Sequence, residues 1–280
     1  MPFVRCSTAF ILLSLLLPVG GARAGDASFM YGVVPETDQL FTRVLADPRQ
    51  AQTTARYYRN GGLNLSDAAL GSTWGLARWS RGDWVWQINL EGMGYSRFKL
   101  SGSVNEFQTI DFFINAPLVV RNGRFSGRVM IFHESSHLGD DYIRRTGSTG
   151  FRFSTEGVRV MAAWDLPLNA RVYGGGMLLM HSIPKAQQGD LQWGAEIRSQ
   201  DLGWIPDHQC WVYLAQDFKS RGRNQWNISS NSEIGLRIGA PKVIRAFRVH
   251  LGHFDGWSEF GQFHLEREAY WNLGVSFDFE

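Results

Sequence analysis

The chain has 280 residues, with 28 Lys and Arg against 26 Asp and Glu, so bulk charge argues against a nucleic-acid partner and no basic run suggests one. The length suits one large β-barrel or two small domains. Eleven Trp, 31 Gly and 44% hydrophobic residues fit a sheet protein with aromatic belts, a composition that a soluble lectin-like sandwich shares.

In chain order, residues 1–24 read as a signal peptide. Arg5 supplies the positive start, Phe10 to Val19 the apolar core, and Ala22-Arg23-Ala24 the small-x-small cleavage site. No later stretch approaches the ~18 uncharged apolar residues of a membrane helix. Removal of the signal peptide leaves Cys210 as the single cysteine, which excludes an intrachain disulfide and makes it a small buried or membrane-facing residue. Residues 25–50 read as a periplasmic N-terminal segment. Within it Leu40, Phe41, Val44 and Leu45 recur at helical spacing between Pro35-Glu36-Thr37-Asp38 and Ala46-Asp47-Pro48, which predicts a short amphipathic helix against the rest of the protein.

From about residue 53 the period changes to two. Trp84, Trp86, Ile88 and Leu90 share a face opposed by Gln87, Asn89 and Glu91, and Ile110, Phe112, Ile114, Ala116, Leu118 and Val120 share one opposed by Asp111 and Asn115. Later segments repeat the pattern as far as Leu273-Val275-Phe277-Phe279. Full charges on the polar face (Glu91, Asp111, Arg128, Glu196, Glu233, Arg237, Arg248) suit a hydrated lumen rather than a sandwich core. Short turns near 80–82, 121–123, 165–169 and 239–242 alternate with longer polar loops near 99–106, 137–149, 184–190, 219–224 and 255–266, as on the two sides of an outer-membrane barrel. Trp79, Trp84, Trp86 and Trp164 flank short turns, where an aromatic girdle belongs. The fold class is therefore all-β: an antiparallel transmembrane β-barrel of about twelve strands over residues 51–280, in the outer membrane of a Gram-negative bacterium.

Phe132 to Tyr142, FHESSHLGDDY, concentrates reactive side chains. Alternation along 123–136 separates an outward set, Phe125, Gly127, Val129, Ile131, His133 and Ser135, from an inward set that includes Arg128, Glu134 and Ser136. A serine hydroxyl needs a base to remove its proton, and the base works best when a third group holds its tautomer. Residues i and i+2 of a strand share a face, so His133 and Ser135 can be base and nucleophile. Antiparallel pairing across the following loop brings Glu156 toward the same surface as the orienting acid. The alternatives are a polar rim pair capping a strand and, for Glu156, a salt bridge to Arg152.

An H-x-S pair on an outward strand face ahead of an extracellular loop resembles the outer membrane phospholipase A and lipid A 3-O-deacylase families. That resemblance implies His133 as base, Ser135 as nucleophile and Glu156 as third member. Ser136 stands where the families' motif has Asn, and the spacing to Glu156 is longer. The phospholipase family uses calcium, for which Asp140 and Asp141, with Glu134, offer oxygen ligands; a solvated loop is the other reading, and nothing in the sequence requires a cofactor. The longer string H-x-S-S-H-L-G-D-[DE]-Y, with Leu45-Ala46-Asp47-Pro48-Arg49 upstream, is similar to an uncharacterised bacterial domain-of-unknown-function family of secreted barrel-like proteins, a similarity that implies no activity.

The expected function is a serine esterase of envelope lipids, phospholipid or lipid A, working as a monomer or homodimer. Arg144, Arg145, Arg152, Lys185, Lys219, Arg221 and Arg223 stand in or beside the long loops as partners for phospholipid or lipopolysaccharide phosphates. The contrasting expectation is a non-enzymatic barrel: a narrow channel or a structural or surface protein.

Overall fold

The structure is a computed structural model and describes residues 29–34, 40–101, 104–239 and 246–278. The expected signal peptide, residues 1–24, and the chain's last two residues lie outside the described residues. Twelve antiparallel strands close into a barrel: β2 (Thr53–Asn60), β3 (Leu63–Arg81), β4 (Trp84–Lys99), β5 (Glu106–Asn122), β6 (Phe125–Leu138), β7 (Phe153–Leu166), β8 (Ala170–Ile183), β9 (Gly189–Arg198), β10 (Gln209–Arg221), β11 (Ile228–Gly239), β12 (Ala246–Trp257) and β13 (Arg267–Asp278). The ring shuts where β13 pairs β2, Phe277 opposite Thr53 and Asn272 opposite Tyr58. A further short strand, β1 (Phe29–Val34), pairs the end of β3 beyond β2, with Phe29 opposite Trp79.

Strand β3 starts earlier than alternation suggests, because Gly61 and Gly62 close a two-residue turn with φ of 56° and 81°. Two consecutive left-handed residues favour glycine, and such a turn matches the twist of the strands it joins. The connection is short although it lies at the long-loop end. At the opposite end Trp79, Trp84, Trp86, Phe125 and Trp164 form a row of neighbouring rings with centroids 6.2–6.5 Å apart. Above that row the outer surface is apolar: Leu70, Ile114, Ile131, Val160, Leu214 and Leu273 are all exposed. A band of this kind costs free energy in water and is what hydrocarbon would cover. No helix among the described residues is long and apolar enough to cross a membrane, so any crossing is by strands.

The interior is polar, and many of its charges are paired. Arg128 faces Glu91, Arg171 faces Glu196, Arg97 faces Asp67 and Glu268, and Arg248 lies between Glu233 and Asp278. Cys210 is a buried free thiol.

The N-terminal segment departs most from expectation. Residues 35–39 lie outside the described residues, and 40–50 are bends and turns with no helix. They pack against the rest of the protein from within the barrel. Leu40, Phe41 and Val44 pack on Val119, Met161, Ala163 and Tyr173, residues of the inner wall. Asp47, fully buried, receives a 2.7 Å bond from Lys219 Nζ and a 2.9 Å bond from Gln192 Nε2. Burial alone would raise the Asp47 carboxyl, but the charges of Lys219 and Arg159 and the two side-chain bonds outweigh it and hold the group well below the usual carboxylate range. Arg49 bonds Asp111 at 2.6 Å and Glu134 at 3.0 Å. The segment is thus an internal plug, held through ion pairs that water would otherwise weaken. The one α-helix among the described residues is α1 (Asp140–Thr146), in the loop after β6.

Candidate active site

Strand β6 leaves the long-loop end carrying His133 and Ser135 on its outer face and Glu134 and Ser136 on its buried inner face. In the β6–β7 register His133 stands opposite Glu156, and Ser135 opposite Ser154. Across a directly opposed pair two long polar side chains can meet, and here they do: His133 Nδ1 lies 3.1 Å from Glu156 Oε1. Both side chains are nearly half exposed, 45% and 49%. An ionised Glu156 accepts the Nδ1–H, which leaves Nε2 as the free basic nitrogen. Glu156 is therefore engaged with His133, and it forms no ion pair with Arg152 among the described residues.

The Ser135 hydroxyl makes no hydrogen bond to a described residue, so the His133–Ser135 link is not closed in this state. Beside Ser135 a groove of about 520 Å³ opens between the ends of β6 and β7 and the α1 loop, lined by Leu138, Ile143, Phe151, Arg152 and Ser154 among others. Its size is that of a ligand pocket, and its walls mix apolar surface with one cation. Ser136, at the position where the phospholipase-type motif has Asn, points inward. Its hydroxyl accepts Gln262 N–H at 3.0 Å and its carbonyl accepts Gln262 Nε2 at 2.9 Å, which ties β6 to the loop between β12 and β13.

A residue that sequence reasoning missed is His181. It is exposed on β8 and stands in register with Glu156, so that His133, Glu156 and His181 form a row across three strands. The register shifts between Glu156 and Gly157, which pairs Leu179 and leaves Met180 extra. A Cβ on Gly157 would sit 2.3 Å from the Leu178 carbonyl oxygen, so glycine is required for this close approach. Period-two reading cannot place His181, because the irregularity shifts the outer face by one residue.

Asp140 and Asp141 open α1. Asp141 accepts Phe107 N–H at 3.1 Å and Arg144 at 3.0 Å, and Asp140 also faces Arg144. Asp141 thus has both carboxylate oxygens engaged, whereas Asp140 is 84% exposed and meets Arg144 only at 3.9 Å. No group of three or more His, Cys, Asp and Glu among the described residues is arranged to hold a metal ion. Three of the cations expected beside the long loops turn inward instead: Lys219 pairs Asp47 and Glu259, Arg221 pairs Glu259 and Asp190, and Arg223 lies over the Phe153 ring. Arg144 and Arg145 are bonded to Asp141 and Glu106.

Among solved structures the chain is similar to the Salmonella typhi outer membrane phospholipase, a dimer with bound calcium, at 12% identity and a TM-score of 0.53 over 85% of this chain and 95% of that one. It is also similar to outer membrane phospholipase A from Escherichia coli, at 13% identity and a TM-score of 0.54 over 82% and 98% of the two chains. The KdgM porin follows at 8% identity and a TM-score of 0.43, over 82% and 99%. At these identities the likeness is one of fold, that of outer-membrane-type barrels. No curated protein sequence matches the chain. Residues 22–279 match the model of a family described as a protein of unknown function, DUF1207, and the chain belongs to that family.

Proposed function

We propose that the protein is an outer-membrane enzyme that hydrolyses acyl esters of envelope lipids, phospholipid or lipid A, at the outer face of β6 and β7. The observation that carries this reading is the outward-facing His133–Glu156 hydrogen bond with Ser135 two residues along the same face. His133 Nε2 takes the proton from Ser135 Oγ as the oxygen attacks the ester carbonyl. Glu156 holds the Nδ1–H tautomer and stabilises the imidazolium that forms. Collapse of the tetrahedral intermediate breaks the ester C–O bond, and His133 returns the proton to the departing lipid alcohol. Water, deprotonated by the same imidazole, then releases the fatty acid from Ser135. Catalytic hydrogen bonds are often unformed before substrate binds, and closing the Ser135–His133 link is the step that a lipid in the neighbouring groove has to complete. The site faces the apolar band, so an acyl chain reaches it without leaving hydrocarbon.

Against a channel stands the buried plug, which Arg49–Asp111 and Lys219–Asp47 bonds hold inside the lumen. The deciding experiment supplies phospholipid and lipid A in mixed micelles to refolded protein and measures released fatty acid. Wild type is expected to release it, and Ser135→Ala to reduce release to background. Activity that survives both Ser135→Ala and His133→Ala would remove these roles. Inactivity on every lipid ester, together with conductance in planar bilayers, would establish the channel instead.

A further inference from the structure

A second site lies inside the barrel, behind the β6 face that carries His133. Its walls are the inner faces of β5 to β8, the plug, and the two long-end loops 222–227 and 258–266. Four arginines, Arg49, Arg159, Arg221 and Arg223, line it together with Glu134 and Glu259.

Both carboxylates already accept bonds from neighbouring side chains. Glu134 accepts Arg49 Nη2 at 3.0 Å and Thr155 Oγ1 at 3.3 Å, and Glu259 accepts Arg221 at 2.8 Å and Lys219 at 3.1 Å. What remains is a surplus of donors. Arg49 Nη1 and Arg223 Nε are buried without a partner among the described residues. Neither Arg159 nor Arg223 has a described carboxylate within ion-pair distance. Arg159 donates only to the Met177 sulfur, at 3.6 Å, and Arg223 lies over the Phe153 ring. Burial and the neighbouring Arg221 push the Arg223 guanidinium below its ordinary value. Buried guanidinium donors without acceptors are costly, since a charged group loses its hydration with nothing in return. An oxyanion offers each donor a lone pair and offsets the charge, with the geometry guanidinium groups favour.

The free space fixes the size of the occupant. It amounts to about 30 Å³, against roughly 10–15 Å³ for one water on a comparable measure. Space on this scale suits one small tetrahedral or planar oxyanion better than a sugar or a lipid. We propose that the lumen holds a specific site for a single free inorganic oxyanion of phosphate size, bound between Arg49, Arg159 and Arg223. This site is separate from the outward-facing His133 and does not depend on the esterase reading.

The test is a calorimetric titration of the folded barrel in detergent micelles with inorganic phosphate at constant ionic strength. Saturable one-site binding is expected, with a matching rise in Tm that equal ionic strength of chloride does not give. Arg159→Gln and Arg223→Gln are each expected to weaken binding at least tenfold while the protein keeps the heat-modifiable gel mobility of a folded barrel. Glycerol 3-phosphate, which carries the phosphate on a lipid backbone fragment, is expected to bind at least tenfold more weakly for want of space. Absence of saturable phosphate binding in wild type would mean that water satisfies the arginines, and would overturn the site. Unchanged affinity in the folded Arg159→Gln/Arg223→Gln double variant, or equal affinity for glycerol 3-phosphate, would overturn it as well.

Discussion

Strand β6 serves two regions that share a backbone and little else. On its outer face His133 and its cross-strand partner Glu156 are nearly half exposed, bonded to each other and to no further described residue. On its inner face Glu134 is held by Arg49 of the plug and by Thr155, and Ser136 by Gln262. The outer pair ties down no segment distant in sequence. The inner residues each anchor one. Alternation lets one strand hold both, with reactive groups outside kept in place by a rigid interior.

The sharpest way to break this contrast is to remove the inner anchor. Arg49 stacks over Phe113, Tyr95 and Phe260 as well as pairing Asp111 and Glu134. Arg49→Ala leaves two carboxylates buried without their cation, a loss expected to cost about 3–5 kcal/mol. Urea unfolding of the micelle-embedded barrel would show it as a fall in midpoint. A loss under about 1 kcal/mol would mean that the plug is a passenger rather than an anchor.

The opposite result is expected outside. Glu156→Gln keeps the size of the side chain and removes its charge, so the His133 tautomer is less firmly held and the imidazolium is not stabilised. Lipid-ester turnover should fall by on the order of 10²-fold or more, with the unfolding midpoint unchanged. A stability loss as large as that of Arg49→Ala would show that the outer pair is structural.

How much of this was legible in the sequence follows from the range of the forces involved. Strand positions depend on alternation, a local property, and β2 spans Thr53–Asn60 as the pattern indicates. Where the pattern lacks a side chain to read, as at Gly61-Gly62, the start of β3 is displaced. The outward setting of His133 and Ser135 follows from the same period. The bulge beside Gly157, which sets His181 in register with Glu156, has no period-two signature. The plug departs from the expected helix for a deeper reason. Leu40, Phe41 and Val44 repeat at a spacing that suits a helix, but what fixes them is the inner wall, formed by residues such as Val119 and Tyr173. The bonds that hold Asp47 and Arg49 reach 172 and 62 positions along the chain. Such pairings have no trace in a local window, although Leu45-Ala46-Asp47-Pro48-Arg49 already stood out as a motif. The same long range explains why Lys219 and Arg221 read as loop cations.

Acid sharpens the contrast further. Burial would raise the Glu259 carboxyl, but Arg221 and Lys219 outweigh it and bring the group to about 2. Its folded value is thus depressed below an unfolded value of about 4.3. The stability it contributes is full above that unfolded value and is lost as pH falls from about 4 toward 2. The unfolding midpoint should drop over this window in wild type and drop less in Glu259→Gln, which starts lower at neutral pH. Equal slopes in the two proteins would show that the Lys219–Glu259–Arg221 cluster does not anchor the loop to the lumen.

The smallest effect comes from an ion pair that looks similar on paper. Arg267 Nη2 lies 2.8 Å from Asp255, as close as many lumenal pairs, but the two side chains are 54% and 50% exposed. Water and salt screen such a pair, and ordering two long side chains offsets most of the attraction. Arg267→Ala should therefore cost less than about 1 kcal/mol, and raising the salt concentration should erase the difference from wild type. Arg49–Asp111, at 2.6 Å with side chains 5% and 0% exposed, should keep its full effect at the same salt. If both pairs proved equally salt-sensitive, the lumen would be hydrated at the plug, and burial could no longer account for the rigidity behind the His133 face.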